Sequence, residues 1–153
     1  MPLEMDILRA LEHYCAYRER SPKEVYNKAR KLLVSEVQPY LKELASSGHL
    51  NEERFACAYT QGKWRNNRWG RLKICQGLRQ KGVREDLIEK ALLDIPKEEY
   101  YNGLLELIGN RLGRQKITHD LHAKTLRYLQ QKGFETARAI EMMDAYQERS
   151  TSD

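Results

Sequence analysis

The sequence has little of what breaks or bridges a chain. Four Pro and nine Gly in 153 residues leave few helix breakers, and no stretch alternates β-branched with polar residues as a half-buried strand does. Three cysteines, at 15, 57 and 75, form no CxxC pair, and an odd number does not make a disulfide framework. Mean hydropathy is −0.78, and no apolar run nears the roughly 18 residues of a membrane span. The segment Met1-Pro2-Leu3-Glu4-Met5-Asp6 carries acids where a secretory signal has basic residues and then an apolar run. These absences predict a soluble, cytoplasmic, helical protein with reduced thiols.

Catalytic and metal-binding patterns are scarce too. His119 and His122 stand three apart at a helix start, yet no third ligand is near in sequence and no HExxH occurs. Gly109-Asn110-Arg111-Leu112-Gly113-Arg114 lacks both the GxxxxGK[ST] pattern and a preceding strand. No carboxylate pair sits in an apolar setting that would tune a general acid. The expectation is a protein that is not an enzyme and needs neither metal nor cofactor.

The most informative absence is of acid. From Arg54 to Arg84 there are nine basic residues and no Asp or Glu. Residues 107–134 hold six basic groups and one acid, whereas 85–106 hold seven acids and two basic groups. The net charge of +5 is therefore concentrated in two blocks, a pattern suited to meeting a polyanion or an acidic protein groove on selected faces.

What is present is helical periodicity. Ile7, Leu8, Leu11, Tyr14 and Cys15 mark one face of a first helix near 4–19. Ser21-Pro22-Lys23-Glu24 predicts a capping box with Pro at the first helical position, followed by a core face of Val25, Ala29, Leu32 and Leu33. Val37, Tyr40, Leu41 and Leu44 predict a third helix ending at Ser46-Ser47-Gly48. Asn51 is the expected cap of a fourth, with Phe55, Ala56 and Tyr59 inward and a fade at Asn66-Asn67. Leu72, Ile74, Cys75 and Leu78 mark the fifth, and Leu87, Ile88, Ala91 and Leu92 the sixth. Tyr101, Leu104, Leu105, Ile108 and Leu112 follow in the seventh, Leu121, Leu126 and Leu129 in the eighth, and Ala137, Ile140, Met143 and Tyr146 in the ninth. Cys15, Cys57 and Cys75 read as small core residues.

An internal echo organises these helices. Leu78-Arg79-Gln80-Lys81-Gly82-Val83 and Leu129-Gln130-Gln131-Lys132-Gly133-Phe134 share one pattern, that of a helix ended by a left-handed Gly with the next apolar residue folding back. A fainter copy in 22–47 has Leu32 where the Gly would stand. The predicted fold is all-α, about nine helices in three tandem three-helix repeats: 1–49, 50–95 and 96–149, with a frayed tail at 150–153. The competing arrangement is one irregular bundle.

The candidate binding residues cluster in Lys63-Trp64-Arg65-Asn66-Asn67-Arg68-Trp69-Gly70-Arg71-Leu72-Lys73. Arg and Lys at this density neutralise phosphates, and Trp64 and Trp69 are stacking candidates; the competing role for the indoles is packing between repeats. Arg79 and Lys81 continue the first block, and Arg111, Arg114, Lys124 and Arg127 represent the second. A helix-turn-helix DNA-binding regulator is the alternative, with 70–81 as reader and Gln76 and Gln80 toward base edges.

The chain resembles the bacterial RecX regulatory family. The resemblance rests on Leu50-Asn51-Glu52-Glu53-Arg54-Phe55-Ala56, Gly70-Arg71-Leu72-Lys73-Ile74, Leu78-Arg79-Gln80-Lys81-Gly82-Val83 and Leu87-Ile88-Glu89-Lys90-Ala91-Leu92. More loosely, Arg20-Ser21-Pro22-Lys23-Glu24-Val25 and Lys132-Gly133-Phe134 match its outer repeats. Two departures stand out: the first repeat has no Lys-Gly turn, and Asn51 replaces the usual Asp. The resemblance implies an elongated, curved stack that binds RecA, usually as its filament on single-stranded DNA. It also implies modulation, mostly inhibition, of recombinase, ATPase and coprotease activity, in recombination, repair and the SOS response. A monomer with weak, sequence-independent DNA binding and no membrane partner is expected, with Arg65, Arg68, Arg71 and Lys73 as the central contacts.

Overall fold

A computed structural model describes residues 2–152. Among them are nine α-helices and no strand: α1 Met5–Tyr17, α2 Pro22–Lys31, α3 Gln38–Ser46, α4 Glu52–Asn67, α5 Arg71–Gln80, α6 Glu85–Leu93, α7 Lys97–Leu112, α8 His119–Gln131 and α9 Thr136–Ser152. The all-α class follows from the pattern. α9 continues past the expected border at 149 to Ser152, and Asp153, the end of the expected tail, lies outside the described residues. No described helix is long and apolar enough to cross a membrane.

Packing groups the described chain into two compact units, residues 2–59 with 77–91 and residues 60–76 with 92–152. The first unit has a core of Leu8, Leu11, Val25, Ala29, Val37, Tyr40 and Leu44. Two of its helix starts are ones the sequence announces. Ser21 Oγ accepts from the Glu24 N–H at 3.2 Å and the Glu24 carboxylate accepts from the Ser21 N–H at 3.2 Å, completing the capping box. Asn51 Oδ1 accepts from the Arg54 N–H at 2.9 Å.

The second unit has at its centre Trp64, Tyr100, Leu104, Ile108, Leu112, Leu129 and Phe134, all buried. Trp64 and Tyr100 lie 5.0 Å apart between ring centroids, and Tyr100 and Phe134 5.5 Å. Gly103 makes room for this cluster, since a Cβ there would stand 2.5 Å from the Trp64 ring. Thr118 caps α8 by accepting from the Leu121 N–H at 3.2 Å.

Several inward faces differ from expectation. On α7 it is Tyr100, one turn before Leu104, that is buried, while Tyr101 is only half-buried. On α9 Ala139 and Met143 are buried, whereas Ala137 is exposed and Ile140 half-buried. Leu72 is exposed, being tied down by its backbone rather than its side chain (below), and Cys57 and Cys75 are half-buried where Cys15 is buried.

The echoed turns share one geometry. The Gly82 N–H bonds the Arg79 carbonyl at 3.0 Å and the Val83 N–H the Leu78 carbonyl at 3.1 Å; Gly133 with Gln130 and Phe134 with Leu129 repeat this at 3.0 and 3.0 Å. Their φ values of +76° and +97° are those of a Schellman cap. The end of α2 has the same bonds, Leu33 to Arg30 at 3.0 Å and Val34 to Ala29 at 3.1 Å. Leu33, at φ +65°, is the counterpart of the glycines. The sequence reading that put Leu32 there is off by one, and the first turn keeps the geometry without the Gly.

Candidate functional site

In the second unit, the segment between α4 and α5 is anchored to the turn that ends α8. The Gly70 N–H donates to the Lys132 carbonyl at 2.7 Å and the Leu72 N–H to the Gly133 carbonyl at 2.9 Å. These are free donors at the start of α5 meeting free acceptors at the end of α8, satisfying both helix ends at once. Gly70 and Gly133 are required by the closeness: a Cβ on Gly70 would lie 2.4 Å from the Gly133 carbonyl, and one on Gly133 would lie 2.3 Å from Lys73 Cβ.

This anchor gathers amines around one indole. Lys63 Nζ stands 4.6 Å and Lys73 Nζ 4.4 Å from the Trp69 ring centroid, within cation–π range. Lys132 Nζ donates to the Asn67 carbonyl at 2.5 Å. Burial first, and then the Lys73 ammonium beside it, lowers the Lys132 ammonium below the ordinary lysine value. The Lys73 ammonium disfavours the charge on Lys132, and an anion bound beside the two relieves that repulsion.

The remaining expected residues divide into anchored and outward ones. Arg68 closes α4 in the left-handed region, φ +54°, with its guanidinium 3.5 Å from Glu106 and 5.3 Å from the Trp64 ring. Arg71 lies 4.0 Å over the Tyr100 ring, and Arg111 lies 4.2 Å over Tyr128. Arg65, Arg114, Lys124 and Arg127 are exposed. Arg79 and Lys81 belong to the first unit, where Arg79 holds Glu85 at 2.6 Å and Lys81 is half-buried. Trp64 does not serve as a stacking face. At 2% exposure it is a core residue, seated where Gly103 leaves space, and only the half-buried Trp69 remains as a platform.

Two clefts flank α7 and share Asn102 and Glu106. One, of about 340 Å³, runs along Trp64, Arg65, Arg68 and Glu99. The other, of about 990 Å³, has Arg114 and Lys116 on its rim. The two basic blocks, separate in sequence, thus border neighbouring clefts in this unit. Sequence reasoning placed Lys132 in the second basic block and in the repeated Lys-Gly pattern without choosing it as a contact residue, and it missed Glu106, which carries no local signal.

The comparisons with known proteins agree with this architecture. Residues 51–92 match the family model described as RecX, second three-helix domain, a span inside the second expected repeat. The chain is 28% identical over 145 residues to the regulatory protein RecX of Lactobacillus johnsonii, covering 92% of this chain and 53% of that protein. With the regulatory protein RecX of Bacillus subtilis it shares 30% over 130 residues, covering 82% and 49%. The chain belongs to the RecX family. It spans about half the length of the curated RecX relatives it matches. Among solved structures, the crystal structure of RecX from Lactobacillus salivarius superposes with a TM-score of 0.81 at 22% identity, covering 92% of this chain and 96% of that one. A second, described as regulatory protein RecX, gives 0.80 at 24%, covering 92% and 70%. The RecX fold is therefore shared, and the relatives in sequence are regulatory proteins.

Proposed function

We propose that this chain binds RecA, chiefly as its filament on single-stranded DNA, and inhibits its ATP turnover, strand exchange and coprotease activity, without a catalytic step of its own. The observation that carries this reading is the Trp69 cluster. A half-buried indole with Lys63 and Lys73 within cation–π range, Lys132 near Lys73 and Arg65 exposed, suits a phosphodiester strand with a base against the ring. Lys124 and Arg127 on α8 extend the basic surface, and the RecX relatives give the regulatory role its context. The three repeats 1–49, 50–95 and 96–149 are part of the same reading, with the chain acting as a monomer in the cytoplasm.

A salt titration tests the binding mode. Binding to free single strands should be weak, sequence-blind and steeply reduced by salt, and binding to a RecA-coated strand firmer. A helix-turn-helix regulator would instead discriminate strongly among duplex sequences, and such discrimination overturns the reading.

A further inference from the structure

The larger cleft beside α7 holds chemistry that a phosphate strand does not use. Among the described residues its cations are Arg114, Lys116 and Arg149, and its one acid is Glu106. Its apolar lining comes from three elements: Leu105 of α7, Ile117 of the 113–118 connection and Tyr146 of α9. The Tyr146 hydroxyl donates to the Gly113 carbonyl at 2.7 Å, which holds the ring and uses its only proton. At about 990 Å³ the groove exceeds what one phosphate group fills. The carbons of a sugar-phosphate backbone nearly all carry or adjoin oxygen, so it fills a lining of Leu105 and Ile117 less well than a hydrocarbon side chain does. A peptide carrying Leu or Phe among carboxylates offers both partners, an apolar side chain for the lining and negative charge for Arg114 and Lys116.

We propose that this groove of the second unit binds an acidic peptide segment with an apolar anchor, presented by a partner protein. Excess positive charge on the rim steers the segment in, and the desolvated apolar side chain fixes its register. Glu106 sets a limit on charge at one end, so the carboxylates of the peptide lie toward the 114–116 side. The groove adds a protein-recognition element to a chain whose Trp69 cluster faces phosphates, and it stands independently of that cluster.

Fluorescence anisotropy with the full chain tests this, using a fluorescein-labelled peptide of about twelve Asp and Glu residues around a central Leu-Phe pair. Saturable binding is expected, weakened about tenfold or more by Arg114→Glu with Lys116→Glu and similarly by Ile117→Asp. Replacing Leu-Phe by Ser-Ser in the peptide has a comparable effect. These substitutions lie in or beside an exposed connection, and Lys116→Glu alone serves as the milder variant, expected to weaken binding severalfold. The proposal is overturned if the peptide does not saturate, if the double variant binds it unchanged, or if the Ser-Ser peptide binds equally well. It is also overturned if an oligo-dT of about twelve nucleotides loses as much affinity as the peptide does in the double variant, which would make the groove a nucleic-acid site. Neither RecA nor nucleic acid enters the peptide measurement, so its failure leaves the filament reading to its own tests.

Discussion

Arg71 and Tyr100 hold each other twice. The Tyr100 hydroxyl accepts from the Arg71 backbone N–H at 3.0 Å, and the Arg71 guanidinium lies 4.0 Å from the centroid of the same ring. The hydroxyl then donates to Glu135 Oε1 at 3.1 Å, so one buried phenol ties the start of α5 to α7 and to the turn before α9.

Tyr100→Phe leaves the part-buried Arg71 N–H without its acceptor and is expected to destabilise the protein by about 1–2 kcal/mol in urea unfolding. Burial, ahead of the Glu135 carboxylate, pushes the Tyr100 phenol above its ordinary value of 10.0. Folding thus favours the protonated form. Its contribution is intact below pH 10 and is lost as pH rises through the raised value. The alkaline fall in stability should be shallower in Tyr100→Phe, read from midpoints at pH 8 to 11.

The three Schellman turns predict opposite outcomes for two substitutions. Leu33 is 91% exposed at positive φ, so Leu33→Gly removes left-handed strain and little packing, and stability should rise by about 0.5–1 kcal/mol. Gly133→Ala adds a Cβ at positive φ against Lys73 and should cost about 2–4 kcal/mol. Thermal midpoints of both variants check the pair.

Glu24 predicts the acid limb. Burial alone would raise its carboxyl, but the hydrogen bonds with the Ser21 backbone and the Arg18 guanidinium outweigh it, and the group is held below its ordinary 4.5. The stability it contributes is present above pH 4.5 and is lost as pH falls through the lowered value. Glu24→Gln should lower stability at pH 7 by about 1 kcal/mol, as for loss of a cap, and flatten the acid loss between pH 5 and 3.

Trp69 predicts the spectroscopic response. Single-stranded DNA should quench its emission and leave the buried Trp64 unaffected, so the quench should vanish in Trp69→Phe. Trp69→Ala should weaken single-strand binding by about 1–3 kcal/mol, the usual worth of one stacked base.

Local chemistry was legible in the sequence, and long-range fit was not. The Ser21–Glu24 box, the Asn51 cap and the Lys-Gly turns each depend on residues within one turn of each other. The first turn was misplaced by one residue because nothing in Lys31-Leu32-Leu33 marks which Leu takes positive φ. Trp64 read as a candidate platform because its burial depends on Gly103, 39 positions away. Tyr100 and Tyr101 both suit a helix face, and only Phe134 and Trp64 decide between them. In the basic strip, composition located the cations. It did not show that Arg68 and Arg71 are committed to Glu106 and Tyr100, so that reversing their charge also disturbs the fold.

Arg65 and Arg127, both exposed, give the cleaner test of the central claim. The measurement is RecA-dependent ATP hydrolysis on single-stranded DNA, with the wild-type chain and with Arg65→Glu combined with Arg127→Glu. Wild type should suppress turnover, and the double variant, still folded by circular dichroism, should suppress it much less, with the difference shrinking at high salt. Turnover unchanged by the wild-type chain, or suppressed equally by both, would contradict that claim.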